Sequence, residues 1–492
     1  MNTKNYFQKI AFVALTFFGL SVQANNVQIS GTSVDTATGQ ITFSLKWDNS
    51  WRTNIAPANH DAVWLFIKYQ DCADKLWKHA NLSVTSADHS AGGALKVDAV
   101  SDGKGVFIYR SSNGGGNISS TSVTLKMNVA AANYENYNFK VFGVEMVNIP
   151  QISSYWVGDG VAASAFTKYE ITGNGSISSS AIGSGNSAPA AFPKGWANFY
   201  AMKYEISQEQ YVNFLNTLTY GQQAHRSAAA PDSPQGTQAF GTASRNGIKI
   251  KVPGSNAAIP AVYGNDLTDG DFDDLNDGQN IAMSTLGYAD VLAYLDWAAL
   301  RPMSEIEFEK ICRGPLAPVA GEYAWGTTEA TGITPGGVVN GGQANEGYNT
   351  VTNGLANYGA LSGYVPVNLD GPVKVGFSAT NSSGRLSASA AYYGAMEMSG
   401  NVGEITVAAK TAGGSTYTGT LGDGLLSTTA ATDGDADQAT WPDNTGLILR
   451  GGHFNASGYG YSGNNSARMM ISDRADTVGA TRMSQYGGRG VR

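Results

Sequence analysis

The sequence predicts an exported chain in two folded parts, an all-β sandwich over residues 25–142 and a mixed α+β domain over 143–492. Three observations predict it. Segments with period-two alternation crowd the first part, with no helical stripe among them. Boxes that open helices, Ser207-Gln208-Glu209-Gln210 and Ser304-Glu305-Ile306-Glu307, occur only in the second part. And 492 residues exceed what one ordinary core holds.

In the first part, Ile41, Phe43, Leu45 and Trp47 alternate with polar residues, the signature of a half-buried strand. Ala62-Val63-Trp64-Leu65-Phe66-Ile67 is unbroken, which predicts a strand covered on both faces. Residues 105–109, 122–129 and 137–142 supply further strands, and the run Ser111-Ser112-Asn113-Gly114-Gly115-Gly116 predicts a turn. In the second part, Tyr211, Phe214, Leu215 and Leu218 form one apolar stripe behind the first box. A second helix is expected over 290–299, and a third runs from Ser304 to a stop at Gly314-Pro315. Beyond it the chain is rich in Gly, Ser, Thr and Asn, with Trp325, Tyr392, Tyr393 and Phe454 as candidate core anchors. Residues 176–191 and 408–440 are low in complexity and predict exposed insertions.

Charged residues make up only 14% of the chain and leave a net charge of −8, with no basic cluster to offset it. That balance excludes a nucleic-acid footprint and disfavours attraction to anionic membranes. At the N-terminus Lys4 and Lys9 precede an apolar run over 10–22 and the small-residue pattern Val22-Gln23-Ala24. The run is too short to span a bilayer, so we expect a signal peptide over 1–24, cleaved near Ala24, and a periplasmic, cell-surface or extracellular product. No second long apolar run follows, so no transmembrane segment is expected.

The second part carries a spaced series of motifs. They are Met146-Val147-Asn148-Ile149-Pro150, Phe199-Tyr200-Ala201-Met202-Lys203-Tyr204-Glu205, Arg301-Pro302-Met303-Ser304-Glu305, Cys312-Arg313-Gly314, Tyr323-Ala324-Trp325-Gly326, Gly400-Asn401-Val402-Gly403-Glu404, Arg450-Gly451-Gly452-His453-Phe454 and Gly488-Arg489-Gly490. In that order they resemble the formylglycine-generating enzyme (sulfatase-modifying factor) family, over roughly residues 144–492. The resemblance implies a C-type-lectin-like fold with much irregular chain.

Active members of that family hold copper(I) between two thiolates that follow the Gly-Gly segment, since a soft cuprous ion needs soft ligands. Counted from Gly451-Gly452, those positions carry Ala456 and Tyr461, and the chain's only cysteines are Cys72 and Cys312. No copper is therefore expected. Cys312 stands where the family often has a bridged structural cysteine, but its partner in the closing segment is absent. An inert buried thiol is the simpler reading, with a bridge to Cys72 left open. The five histidines, His60, His79, His89, His225 and His453, are scattered and show no metal-ligand spacing.

By the same resemblance, the Gly-Asn-x-x-Glu stretch binds a structural calcium. The implied ligands are the carboxylates of Glu397 and Glu404 and the carbonyls of Gly400 and Val402, hard oxygen donors on a tight loop. The alternative is a solvated acidic loop. A second acidic run, Asp266, Asp269, Asp271, Asp273, Asp274 and Asp277, fails as an EF-hand because Asp274 stands where that loop needs glycine. It predicts a charged surface loop, with a second calcium left open.

The sequence thus points to a non-catalytic binding or assembly module whose partners are a glycan, a surface protein or further copies of itself. The alternative is a divergent oxidase or modifying enzyme of the same family, with a non-thiolate metal site involving His453 and Tyr461.

Overall fold

The computed structural model describes residues 26–492 except 130–133, 135, 184, 242–243, 359–370, 381 and 455–464. The expected leader at 1–24 lies outside these residues.

The strands that matter most are β1 (Gln28–Asp35), β2 (Gln40–Arg52), β3 (Asp61–Asp71), β4 (Val106–Arg110), β5 (Gly114–Lys126), β6 (Tyr137–Ile149) and β7 (Phe199–Met202). A four-stranded sheet runs β1, β2, β5 and the short strand Ser90–Ala91. An eight-stranded antiparallel sheet runs from Arg301–Pro302 through Gly490–Val491, β7, β6, β3 and β4 to Leu95–Ala99, with Trp77–His79 attached to β3.

The two sheets enclose one core. Ile41, Phe43, Leu45 and Trp47 of β2 meet Val63, Leu65 and Ile67 of β3, all fully or almost fully buried. The intervening residues Ala62, Trp64 and Phe66 point the other way, into the larger core that holds the helices of the second part. This explains the unbroken apolar run in β3: its two faces serve two different cores. The expected boundary at 142/143 falls within β6, which pairs with β3 from Tyr137 to Val147 and with β7 at its C-terminal end.

Four helices carry the second part's framework: α1 (Gln208–Leu215), α2 (Tyr220–Arg226), α3 (Tyr288–Trp297) and α4 (Glu305–Arg313). The boxes at Ser207/Gln210 and Ser304/Glu307 close as the sequence predicts, and Gly314 ends α4. Helix α2 was not anticipated, although Thr219 and Gln222 form a further box.

Two expectations are corrected. The Gly114–Gly116 run is the start of β5, not a turn, because it pairs with Ser50, Trp51 and Arg52 of β2. The low-complexity segments are not simply exposed, since Ile182 and Ala188 in one and Tyr417 in the other are fully buried anchors. Among the described residues, no helix is long and apolar enough to cross a membrane.

His60 sits where the two parts meet. Its Nε2 lies 2.9 Å from the Tyr200 hydroxyl and its ring stacks on Tyr109 at 4.4 Å. Burial, helped by the Arg52 guanidinium, pushes its pKa down from 6.5 to about 4. The unfolded chain therefore binds the extra proton first, so this group's contribution falls as pH drops from 6.5 towards 4. We expect His60→Phe, which keeps the stacking, to flatten the stability–pH curve of the wild type across that window. Paired chemical denaturations at several pH values check this.

Candidate functional site

The second part's motifs converge on helix α4. All of α4 is buried, charged residues included. Arg450 Nη1 and Nη2 donate to Glu305 Oε2 (3.2 Å) and Glu309 Oε1 (3.1 Å). Arg474 reaches both oxygens of Glu305, at 2.5 and 2.8 Å. Arg313 bonds Glu309 at 3.0 Å and Glu322 at 2.5 Å. Each of these charges thus faces an opposite one, the condition for burying charge at tolerable cost, while Lys310 of α4 is held instead by the carbonyls of Pro150 and Gly195.

Next to this network, two loops dock on each other. The Gly400 amide donates to the Gly451 carbonyl (2.7 Å) and the Phe454 amide to the Asn401 carbonyl (2.8 Å). Gly400 has φ +102°, and a Cβ there would lie 2.9 Å from the Asn357 carbonyl oxygen, so only glycine fits. The loop then enters strand β8 (Gly403–Val407), which pairs with β9 (Leu447–Arg450).

A second buried set of charges lies at this junction. Arg489 Nε donates to Glu404 Oε1 at 2.8 Å, while Glu404 Oε2 is buried with no hydrogen-bond partner. Glu205 accepts from the Asn401 side chain (2.6 Å) and the Val402 amide (3.0 Å). Glu397 accepts from the Gly376 amide at 3.0 Å. Burial pushes Glu397 up to about 7, and burial together with the neighbouring Glu397 raises Glu205 well above the usual carboxylate range. Glu404 is raised by burial, which Arg489 opposes.

Of the four residues implied as metal ligands, then, Glu404 is fully buried in the acidic set, Glu397 is half-buried at its edge, and Gly400 and Val402 form the loop between them. Glu205 and Arg489 complete that set and were not singled out, though both lie in motifs quoted above. Their signal was the family motif itself, since periodicity gives no hint that either is buried.

Other predicted positions fare differently. Ala456 and Tyr461 lie outside the described residues. His453 is buried directly before Phe454. His79 and His89 belong to the strand-rich part, and His225 lies on α2. Both cysteines are free: Cys72 is exposed and Cys312 is buried in α4, where burial pushes its thiol pKa up.

Among the described residues, three groups of carboxylates come close enough to share an ion: Asp266/Asp269/Asp277, Asp269/Asp271/Asp274 and Asp296/Asp423/Asp437. The first two come from the acidic run, which is not simply a charged surface loop. Asp266 and Asp277 are buried there because they accept loop amides, from Gly270 and from Leu267 and Asp274. The third joins the end of α3 to the 408–440 segment, and nothing in the local sequence announces it.

The model of the sulfatase-modifying factor enzyme 1-like domain matches residues 171–492, and the chain belongs to that family. No curated protein shows significant similarity to the chain.

Proposed function

We propose that this is an exported, non-catalytic member of the formylglycine-generating enzyme family, whose C-type-lectin-like domain serves as a surface binding or assembly module. One observation carries the reading: the chain has no thiol pair for copper(I). Its two cysteines sit on different parts, one exposed on the strand-rich part and one sealed in α4. A buried thiol with a raised pKa is a poor source of thiolate, and the family positions carry Ala456 and Tyr461. Long neutral loops rich in Gly, Ser and Asn suit adaptable polar recognition.

Calcium fits the Glu397–Glu404 junction by charge. With all three glutamates ionised, Arg489 and Lys374, the latter beside Glu397, offset only two of them, and Glu404 Oε2 is an orphaned buried oxygen. Glu397 and Glu404 would hold the ion with the Gly400 and Val402 carbonyls, and its role would be to neutralise charge and fix the loop.

The test is direct. Incubated with copper(I), oxygen and a cysteine-containing substrate peptide, the mature protein should leave the cysteine unchanged by mass spectrometry. An active family enzyme run in parallel should convert it to formylglycine. Turnover by this chain would refute the proposal.

A further inference from the structure

The described chain enters the fold at Asn26, and it enters against acid. The Asn26 main-chain amide donates to Glu145 Oε1 of β6 at 3.1 Å, and its side-chain amide donates to Asp48 Oδ2 of β2 at 2.7 Å.

Behind Glu145 the charges do not balance. Glu145 is 3% exposed and Asp61 of β3 is fully buried, and they share one cation, Lys203, at 3.0 and 3.9 Å. Asp61 is supplied with donors by the Trp47 indole, the Ser50 hydroxyl and the Trp51 amide. Glu145 has only Lys203 and the Asn26 amide. With Asp48, three carboxylates on three strands face a single ammonium. Other cations on β2 do not close the gap. Lys46 stands opposite Gln28, exposed and in no ion pair among the described residues, and Arg52 donates to the Arg110 carbonyl. Burial accordingly raises the carboxyls of Glu145 and Asp61 although Lys203 opposes it.

Buried charge is stable when it is matched, and the chain itself carries a further cation to this point. The expected leader ends at Ala24. Hydrolysis of the Ala24–Asn25 bond consumes one water and leaves a carboxylate on Ala24 and a protonated α-amine on Asn25. One residue spans at most about 3.6 Å, so that amine stays within a residue's length of the amide bonded to Glu145. Before cleavage the same nitrogen is a neutral amide.

We propose that removal of the leader creates a structural ion pair, in which the new α-amine of Asn25 meets the Glu145 carboxylate with Asp48 beside it. Cleavage then stabilises the joint between the two parts as well as releasing the chain. The inference rests on the export reading and adds a consequence of processing to it.

The full mature chain tests this, its N-terminus first fixed by mass. NMR of the ¹³C-dimethylated α-amine, which keeps its charge, should show it titrating about one pH unit higher in the folded than in the denatured chain. With the folded pKa raised, the pairing contributes fully below about pH 8 and is lost as pH rises through the folded value. Acetylating Asn25 should therefore lower the melting temperature by about 2 °C at pH 7, with the difference gone above about pH 10. Placing Gly-Ser-Gly before Asn25 keeps the charge but moves it away, and should cost as much as acetylation. Glu145→Gln should return the amine to its denatured-state titration. If that variant does not fold, the wild-type titration and the acetylated chain decide. An unshifted amine, or acetylated and extended chains as stable as the mature one, overturns the proposal. So does an exported chain that does not begin at Asn25. A chain that begins there with an unshifted amine leaves the export reading standing and removes only the ion pair.

Discussion

Replacing Glu305 with alanine should lower the unfolding free energy by about 3–5 kcal/mol, the cost of breaking a buried ion pair from one side. Glu305 is fully buried and is the shared partner of Arg450 and Arg474. Its loss leaves two guanidinium groups facing a cavity, with Arg450 still held by Glu309 but Arg474 left without a carboxylate, on the Ser164 carbonyl and the Phe166 ring. The Ala409 amide, which donates to Glu305 Oε1 at 2.7 Å, also loses its acceptor. Lys78→Ala is the contrast. That residue pairs with Asp74 at 2.6 Å on the open surface, and its removal should cost under about 1 kcal/mol. Chemical denaturation of both variants beside the wild type checks the prediction, and equal effects would contradict it.

Trp64→Ala should cost about as much, in the range of 3–5 kcal/mol for a large buried aromatic. Trp64 is fully buried on the face of β3 turned towards the second part. Its ring lies 4.9 Å from Phe107 and 4.2 Å beneath the Arg492 guanidinium, and its Nε1 donates to the Ala298 carbonyl at 2.9 Å. The truncation therefore opens a cavity and strands a carbonyl at the end of α3. Because β3 belongs to both cores, we expect a single cooperative unfolding transition in the wild type. In Trp64→Ala, both near-UV circular dichroism and far-UV signals should shift together. Two separate transitions in the wild type would show instead that the parts melt independently.

Much of this architecture can be read in the sequence, and the reasons for the failures are physical. The alternation in β2 and the double-faced run in β3 are direct consequences of side-chain period, so they survive into the structure unchanged. Helices α1 and α4 announce themselves by side chains that cap their own first turns. What the sequence hides is long-range pairing. Nothing near Gly114–Gly116 says that this glycine run finds Ser50–Arg52, and nothing around Glu305 says that its carboxylate meets arginines at 450 and 474. The same holds for the site. The family motif points to Glu397 and Glu404, but only the fold shows that Arg489 occupies one oxygen of Glu404 and that Glu205 joins them.

The measurement that tests the central claim most directly is the metal content of the purified mature protein, by elemental analysis before and after mild chelation. The account predicts no stoichiometric copper or iron, and calcium whose removal lowers thermal stability. Stoichiometric copper or iron would contradict it and would make the protein a redox enzyme with ligands other than a thiol pair.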